Sequence, residues 1–255
     1  VSPARPRTLR PVHTSQHPAH IHYYDAEGVE RLIPAVHAAH VRFEDALPAR
    51  DIPSRVGQRH TPGKLWSSTT GRMVGYESHL ESKWMKLFDF DFEVVSFSAQ
   101  PFTIDAVDGH GKWKHTPDLF ARRRDGSALL LDVKADDRLA VPAVAQQAQR
   151  TEDLCAQLGW DYDMVGEPDP QLWATVQWLA GYRRPSEVVD HLAGQLMALA
   201  QEPVPLGDLV SFQPSPELAR PVVFHLMWHH QLAFDPAHPL SDRTTVWAAE
   251  PRSNA

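Results

Sequence analysis

A single cysteine, Cys155, leaves the chain without an internal disulfide and without the paired CxxC that a zinc ribbon or a dithiol redox site requires. No basic neighbour in sequence marks it as a nucleophile, so it reads as a small apolar residue on a helix. Long apolar runs are missing too. None reaches the length of a membrane span, and the N-terminal stretch VSPARPRTLRPVHTSQHPAH lacks the apolar centre of a secretory signal. The expectations are no membrane association and a cytoplasmic location. Positive charge is also in short supply. Lys and Arg number 25 against 32 Asp and Glu, a formal net charge of −7, which excludes a protein that coats nucleic acid by bulk electrostatics. Any contact with double-stranded DNA must therefore be local. The basic residues do cluster, as Arg5, Arg7 and Arg10 in a Pro-rich segment with no acid before Asp25, and as Arg122, Arg123 and Arg124. The first cluster reads as an extended tail, with a DNA-contacting arm as the alternative. The second is either a solvated hairpin end or a clamp on DNA phosphates.

What the chain does have is material for a core: 255 residues, 42% of them hydrophobic, enough for one large or two small domains. Three parts are predicted. Residues 1–70 are rich in Pro, His, Arg and Ala and read as an irregular arm, with a weak helical pattern around VERLIPAVHAAHVRFEDAL. Residues 71–183 carry a tight alternation of helix and strand patterns and form the main domain. Residues 184–255 hold three short helical patterns followed by LAFDP and TTVWA, which can pair as a small hairpin, the outline of a winged-helix-like module. That module is poor in the Lys and Arg a recognition helix needs, so it suits a protein partner better than DNA.

Within the main domain, Leu80, Trp84, Leu87 and Phe88 recur at helical spacing, with Glu77 inside that apolar stripe and Glu81 at its edge. VVSFSAQPFTIDAV then reads as a strand interrupted at Pro101, KWKHTPDLFARR as a second strand, RRDGS as a hairpin turn and ALLLDVKA as a third. The run Ala128 to Leu131 marks this third strand as central and covered on both faces. VPAVAQQAQRTEDLCAQLG is an amphipathic helix ended by Gly159, after which WDYDMVG returns to the same sheet. The order implies an α/β fold, a mixed sheet flanked by helices.

The chemistry is concentrated in HTPDLFARRRDGSALLLDVKA. If its two strands pair across the RRDGS turn, Asp118 lies near Asp132 and Lys134, and the latter two, spaced by two residues, share a face. Two carboxylates converging in a largely buried sheet call for a divalent cation, and hard oxygen ligands favour magnesium, with manganese able to substitute. A helix glutamate and an ammonium beside them suit hydrolysis of a phosphodiester.

Glu81, Pro117-Asp118 and Asp132-Val133-Lys134 together resemble the PD-(D/E)xK nuclease superfamily. GYESHLESKWMKLFDFDFEVVSFSAQPFTI, HTPDLFARRRDGSALLLDVK and LCAQLGWDY, in that order over about residues 60–183, resemble the TnsA-like endonuclease subunits of heteromeric transposases. The resemblance implies a restriction-endonuclease-like fold and a magnesium-dependent endonuclease that cuts one DNA strand at each transposon end, beside a DDE-type transposase that cuts the other. It also implies a C-terminal module that docks an AAA+ ATPase regulator. Carried over residue by residue, Asp118 and Asp132 are metal ligands, Val133 offers its carbonyl to the metal, and Lys134 is the catalytic lysine. The helix acid and further metal ligand is Glu81 by its S-x-x-E spacing from Ser78, with Glu77 as the alternative acid.

Two other readings stand beside this one. Another PD-(D/E)xK nuclease, of restriction, resolvase or repair type, shares the site but not the partners, and a non-catalytic adaptor keeps the fold alone. Remaining motifs are weak. GQRHTPGKL, from Gly57, has one residue too many between its glycines for a P-loop and Leu65 where a hydroxyl is required. His225 and His229 have zinc-ligand spacing but lack the intervening Glu of HExxH, so a His-rich helix face is the better account. Trp84 and Trp113 read as packing aromatics before base-stacking ones.

Overall fold

The structure, a computed structural model, describes residues 19–50 and 62–250. Arg5, Arg7 and Arg10, and most of the P-loop-like stretch, lie outside these residues. The chain begins with β1 (His20–Tyr24), β2 (Glu30–Pro34) and two short 3-10 turns, Ala35–His40 and Phe43–Asp45. It continues through β3 (Gly63–Trp66), β4 (Met73–Tyr76), α1 (His79–Phe90), β5 (Val94–Ala99), β6 (Thr103–Asp108), β7 (Gly111–His115), β8 (Leu119–Arg123) and β9 (Ala128–Val133). Then come α2 (Asp136–Leu139), α3 (Pro142–Leu158), β10 (Asp161–Val165) and α4 (Pro170–Leu179). The last part holds α5 (Glu187–Leu199), β11 (Val204–Pro205), α6 (Leu206–Ser211), α7 (Pro216–Trp228), β12 (Leu232–Ala233) and β13 (Thr245–Ala248). The fold is mixed α/β with several sheets.

The central sheet has the order β10-β9-β8-β5. β8 and β9 are antiparallel, and β10 pairs parallel with β9 after the α3 crossover, so the sheet is mixed as the sequence predicts. Strand alternation splits the β9 run between two cores. Ala128 and Leu130 join a cluster with Leu154 and Cys155 of α3, while Leu131 and Val133 join another with Met85 and Phe88 of α1. β9 is thus inner and covered on both faces. Helix α3 stops where Gly159 adopts φ 72°, a left-handed conformation that a residue without Cβ reaches at little cost.

A second sheet, β2-β1-β6-β7, corrects the irregular arm. His20–Tyr24 pairs along its whole length with Pro34–Glu30, and also with β6. Ile21 and Phe43 are fully buried, with Phe43 ringed by Phe102, Phe120 and Trp160. The helical pattern over VERLIPAVHAAHVRFEDAL becomes β2 and the two 3-10 turns, because an available partner strand outweighs weak local propensity. A related correction applies to KWKHTPDLFARR, which is two strands. β7 pairs with β6 in the second sheet and β8 with β5 and β9 in the central one. Thr116-Pro117-Asp118 is the crossover, where Pro117 has no N–H to give to either ladder.

Beyond Arg183, α5, α6 and α7 surround a small antiparallel sheet ordered β11-β13-β12. Its core is continuous with the rest: Leu87 of α1 and Val176 and Leu179 of α4 sit in one cluster with Leu196, Leu209, Val223 and Trp228. Polar contacts reinforce the junction. The Trp228 indole donates to Ser68 Oγ at 2.8 Å, and buried Asp89 accepts from Ser67 Oγ (2.7 Å) and the Thr69 amide (2.8 Å), shaping the turn that presents Ser68. His225 and His229 face the backbone carbonyls of Tyr182 and Arg183 at 2.7 and 3.1 Å, which accounts for their spacing without zinc. Among the described residues, no helix is long and apolar enough to cross a membrane.

Candidate active site

Antiparallel register places Leu119 opposite Leu131, so Asp118 and Asp132 come to the same end of the central sheet. Alternation turns both toward the face that carries Phe120 and Leu130, away from the α1 side. Asp118 Oδ2 accepts from the Val133 amide at 2.7 Å and from Lys134 Nζ at 2.8 Å, and Lys134 Nζ also donates to the Val133 carbonyl at 3.1 Å. Asp118 and Lys134 are therefore directly hydrogen-bonded, while Asp132 stands beside them on partners of its own. Burial disfavours the charged Lys134 amine, but the charges of Asp118 and Asp132 outweigh it and raise its pKa, keeping the ammonium protonated.

Asp132 has two partners that sequence reasoning missed. His115 Nε2 lies 3.0 and 2.8 Å from its two oxygens, and the Tyr162 hydroxyl donates to Oδ2 at 2.8 Å. Burial opposes ionisation of Asp132, which is only 2% exposed, yet the His115 hydrogen bond and the charges of His115 and Lys134 prevail and hold its carboxyl below the usual range. Tyr162 moves the other way. Burial and the Asp132 charge push its phenol up, so it stays a donor. Alternation along β7 and β10 carried no signal for either contact, because His115 reaches across from the second sheet.

The acids open into a cleft of about 790 Å³ between the two sheets and α3. Asp118, Asp132, Lys134 and His115 line it, joined by His22, Thr103, Lys114 and Thr116 from the second sheet, by Arg50, and by Gln147 of α3. Lys114, Lys134 and Arg50, with two histidines, thus surround two carboxylates, and Arg50 is itself paired with Glu77.

The helix acids are placed differently from each other. Glu81, 7% exposed, is the third residue of α1, and its carboxylate accepts from the Glu77 amide and from Ser78 Oγ, both at 2.9 Å. Ser78 Oγ in turn caps the Glu81 amide at 3.1 Å, so the S-x-x-E spacing builds a reciprocal cap akin to a capping box, with Glu81 reaching the amide one residue before the N-cap. Burial raises the Glu81 pKa, and repulsion from Asp118 adds to it, which places the two acids within electrostatic reach. Glu81 is nevertheless absent from the cleft lining, as expected of a residue reaching in from the α1 face. Glu77 pairs with Arg50 at 2.8 Å. Among the described residues, no group of three or more His, Cys, Asp and Glu side chains is arranged to hold a metal ion.

The arginines expected to contact DNA are engaged within the protein, and none lines the cleft. Arg122 bonds to buried Glu44 (3.2 Å) and the Gly126 carbonyl (3.0 Å), Arg123 pairs with Asp161, and Arg124 lies 4.0 Å over the Phe92 ring. Trp84 donates to the Gly166 carbonyl at 2.8 Å, and Trp113 packs on the core beneath the second sheet. Cys155 is buried, and loss of solvent pushes its thiol well above the ordinary range. Comparison with protein-family models and with curated proteins finds no match for the chain.

Proposed function

We propose that this chain is a metal-dependent DNA endonuclease of the PD-(D/E)xK type. The observation that carries the reading is the assembly of Asp118, Asp132 and Lys134 at one sheet end, with the Lys134 ammonium 2.8 Å from Asp118 and a cleft in front of them. The donor chemistry fits a hard divalent cation. Two carboxylates and the Val133 carbonyl would offer oxygen donors, and Asp118 Oδ1 has no hydrogen-bond partner among the described residues. Asp118, Asp132 and the Val133 carbonyl would hold magnesium or manganese, with Glu81 the acid standing behind them. Such an ion, when bound, neutralises phosphate charge and acidifies a water. The protein's own groups do the rest. His115 and Tyr162 fix the Asp132 carboxylate, the Val133 amide fixes Asp118, and Lys134 supplies a positive charge that orients a nucleophile or stabilises developing negative charge.

We further read the central sheet with α1 and α3 as a restriction-endonuclease-like core, and the elements α5-β11-α6-α7-β12-β13 as a winged-helix-like module. The protein is then the TnsA-like subunit that cuts one strand at a transposon end, beside a DDE-type transposase and an AAA+ regulator bound by the C-terminal module. The test is conversion of supercoiled plasmid to open circles by the full chain in magnesium. Asp118→Ala and Lys134→Ala each abolish nicking while retaining a cooperative unfolding transition; nicking at wild-type rate in both variants would contradict the proposal.

A further inference from the structure

With Arg122, Arg123 and Arg124 engaged by other residues of the chain and outside the cleft lining, the nuclease reading leaves the DNA-contacting surface unassigned. The pairing of β1, β6 and β7 supplies one. Register sets His22 opposite Thr103, His20 opposite Asp105, and Asp105 opposite Lys114, with Val107 opposite Lys112. Directly opposed residues share a face. The other face, bearing Ile21, Ile104 and Ala106, is buried in the core. Lys112 and Lys114 are therefore on the solvent side, and both are exposed. Neither forms an ion pair among the described residues, although Asp105 is the cross-strand neighbour of Lys114.

This face runs into the candidate active site. His22, Thr103 and Lys114 belong both to it and to the cleft, and the Thr103 and Thr116 hydroxyls, 2.8 Å apart, bridge the sheet to the Thr116-Pro117-Asp118 crossover. A phosphate chain leading to Asp118 and Asp132 across this surface meets the unpaired ammonium groups of Lys112 and Lys114 before the acids, for Thr103 is buried and His22 pairs with Glu30 at 2.6 Å. Unpaired exposed lysines suit sequence-independent contact to a backbone, since phosphates are bound by charge. We infer that the outer face of the β2-β1-β6-β7 sheet, with Lys112 and Lys114 as its phosphate contacts, is the track along which duplex DNA approaches the site.

The inference rests on the nuclease reading, and salt-dependent binding separates the two. Anisotropy of a short labelled duplex is followed against salt with the full chain in EDTA, where no cleavage intervenes. The Lys112→Gln/Lys114→Gln double variant is expected to flatten the slope of log K against log salt by roughly 1.8, about 0.9 for each phosphate that is no longer neutralised, and to weaken low-salt binding roughly tenfold. Lys64→Gln, on β3 and outside the cleft lining, leaves both unchanged. Wild-type binding with an unaltered slope and affinity in the double variant overturns the track and leaves the nuclease reading standing. Absence of both duplex binding and nicking in the wild type overturns the two together.

Discussion

At the scale of single residues, the candidate site is a set of charges whose partners are all close at hand. Asp118, Asp132 and Lys134 were legible in the sequence because a hairpin turn and a two-residue spacing are local features. His115 was not, since it reaches Asp132 from a second sheet whose placement depends on tertiary pairing, and Tyr162 was not, since a strand pattern places β10 in the sheet without showing what its hydroxyl bonds. Glu81 shows the converse. Its S-x-x-E spacing was visible, but the spacing that resembles a nuclease motif is also that of a helix cap, and the cap is what the hydrogen bonds describe. The two roles separate experimentally. Glutamine serves in a capping box as glutamate does, so Glu81→Gln is expected to leave thermal stability nearly unchanged. If the carboxylate also shapes the metal site, the same variant lowers magnesium-dependent nicking by about tenfold or more, the range typical of groups supporting a bound metal. Nicking at wild-type rate in Glu81→Gln would confine this residue to the cap.

At the scale of elements, strand and helix types were readable wherever periodicity was strong. The β9 run, the α3 helix with its Gly159 stop, and the parallel return of β10 follow from local pattern. The second sheet did not, because its first two strands lie in a Pro- and His-rich stretch with little alternation and acquire their state by pairing with β6. The crossover at Pro117 was also hidden, since KWKHTPDLFARR reads as one extended run until two sheets compete for its halves. The turn at 67–70 depends on another non-local contact. Buried Asp89, near the end of α1, accepts from Ser67, Ser68 and Thr69, and Trp228 then donates to Ser68. Asp89→Ala leaves these buried and half-buried donors without their acceptor and is expected to cost about 2–4 kcal/mol in denaturant unfolding. A loss below roughly 0.5 kcal/mol would show that the turn holds without it.

For the molecule as a whole, the helices beyond Arg183 are not a loosely tethered appendage, for one apolar cluster extends from Leu87 through Val176 to Trp228. That continuity was beyond the reach of sequence, where the change of composition near Pro185 suggests only a boundary. Net negative charge coexists with lysines in the cleft, where Lys114 and Lys134 stand beside Asp118 and Asp132 and Arg50 is neutralised by Glu77. The central claim is that this cleft hydrolyses DNA with a metal held by Asp118 and Asp132. It is tested most directly by stripping the full chain with EDTA, restoring magnesium, and following plasmid nicking by the wild type and by Asp132→Asn. Magnesium is expected to restore nicking in the wild type, while Asp132→Asn, folded and equally stripped, stays inactive; nicking that persists in EDTA, or that returns equally in Asp132→Asn, rules out a metal held by these carboxylates.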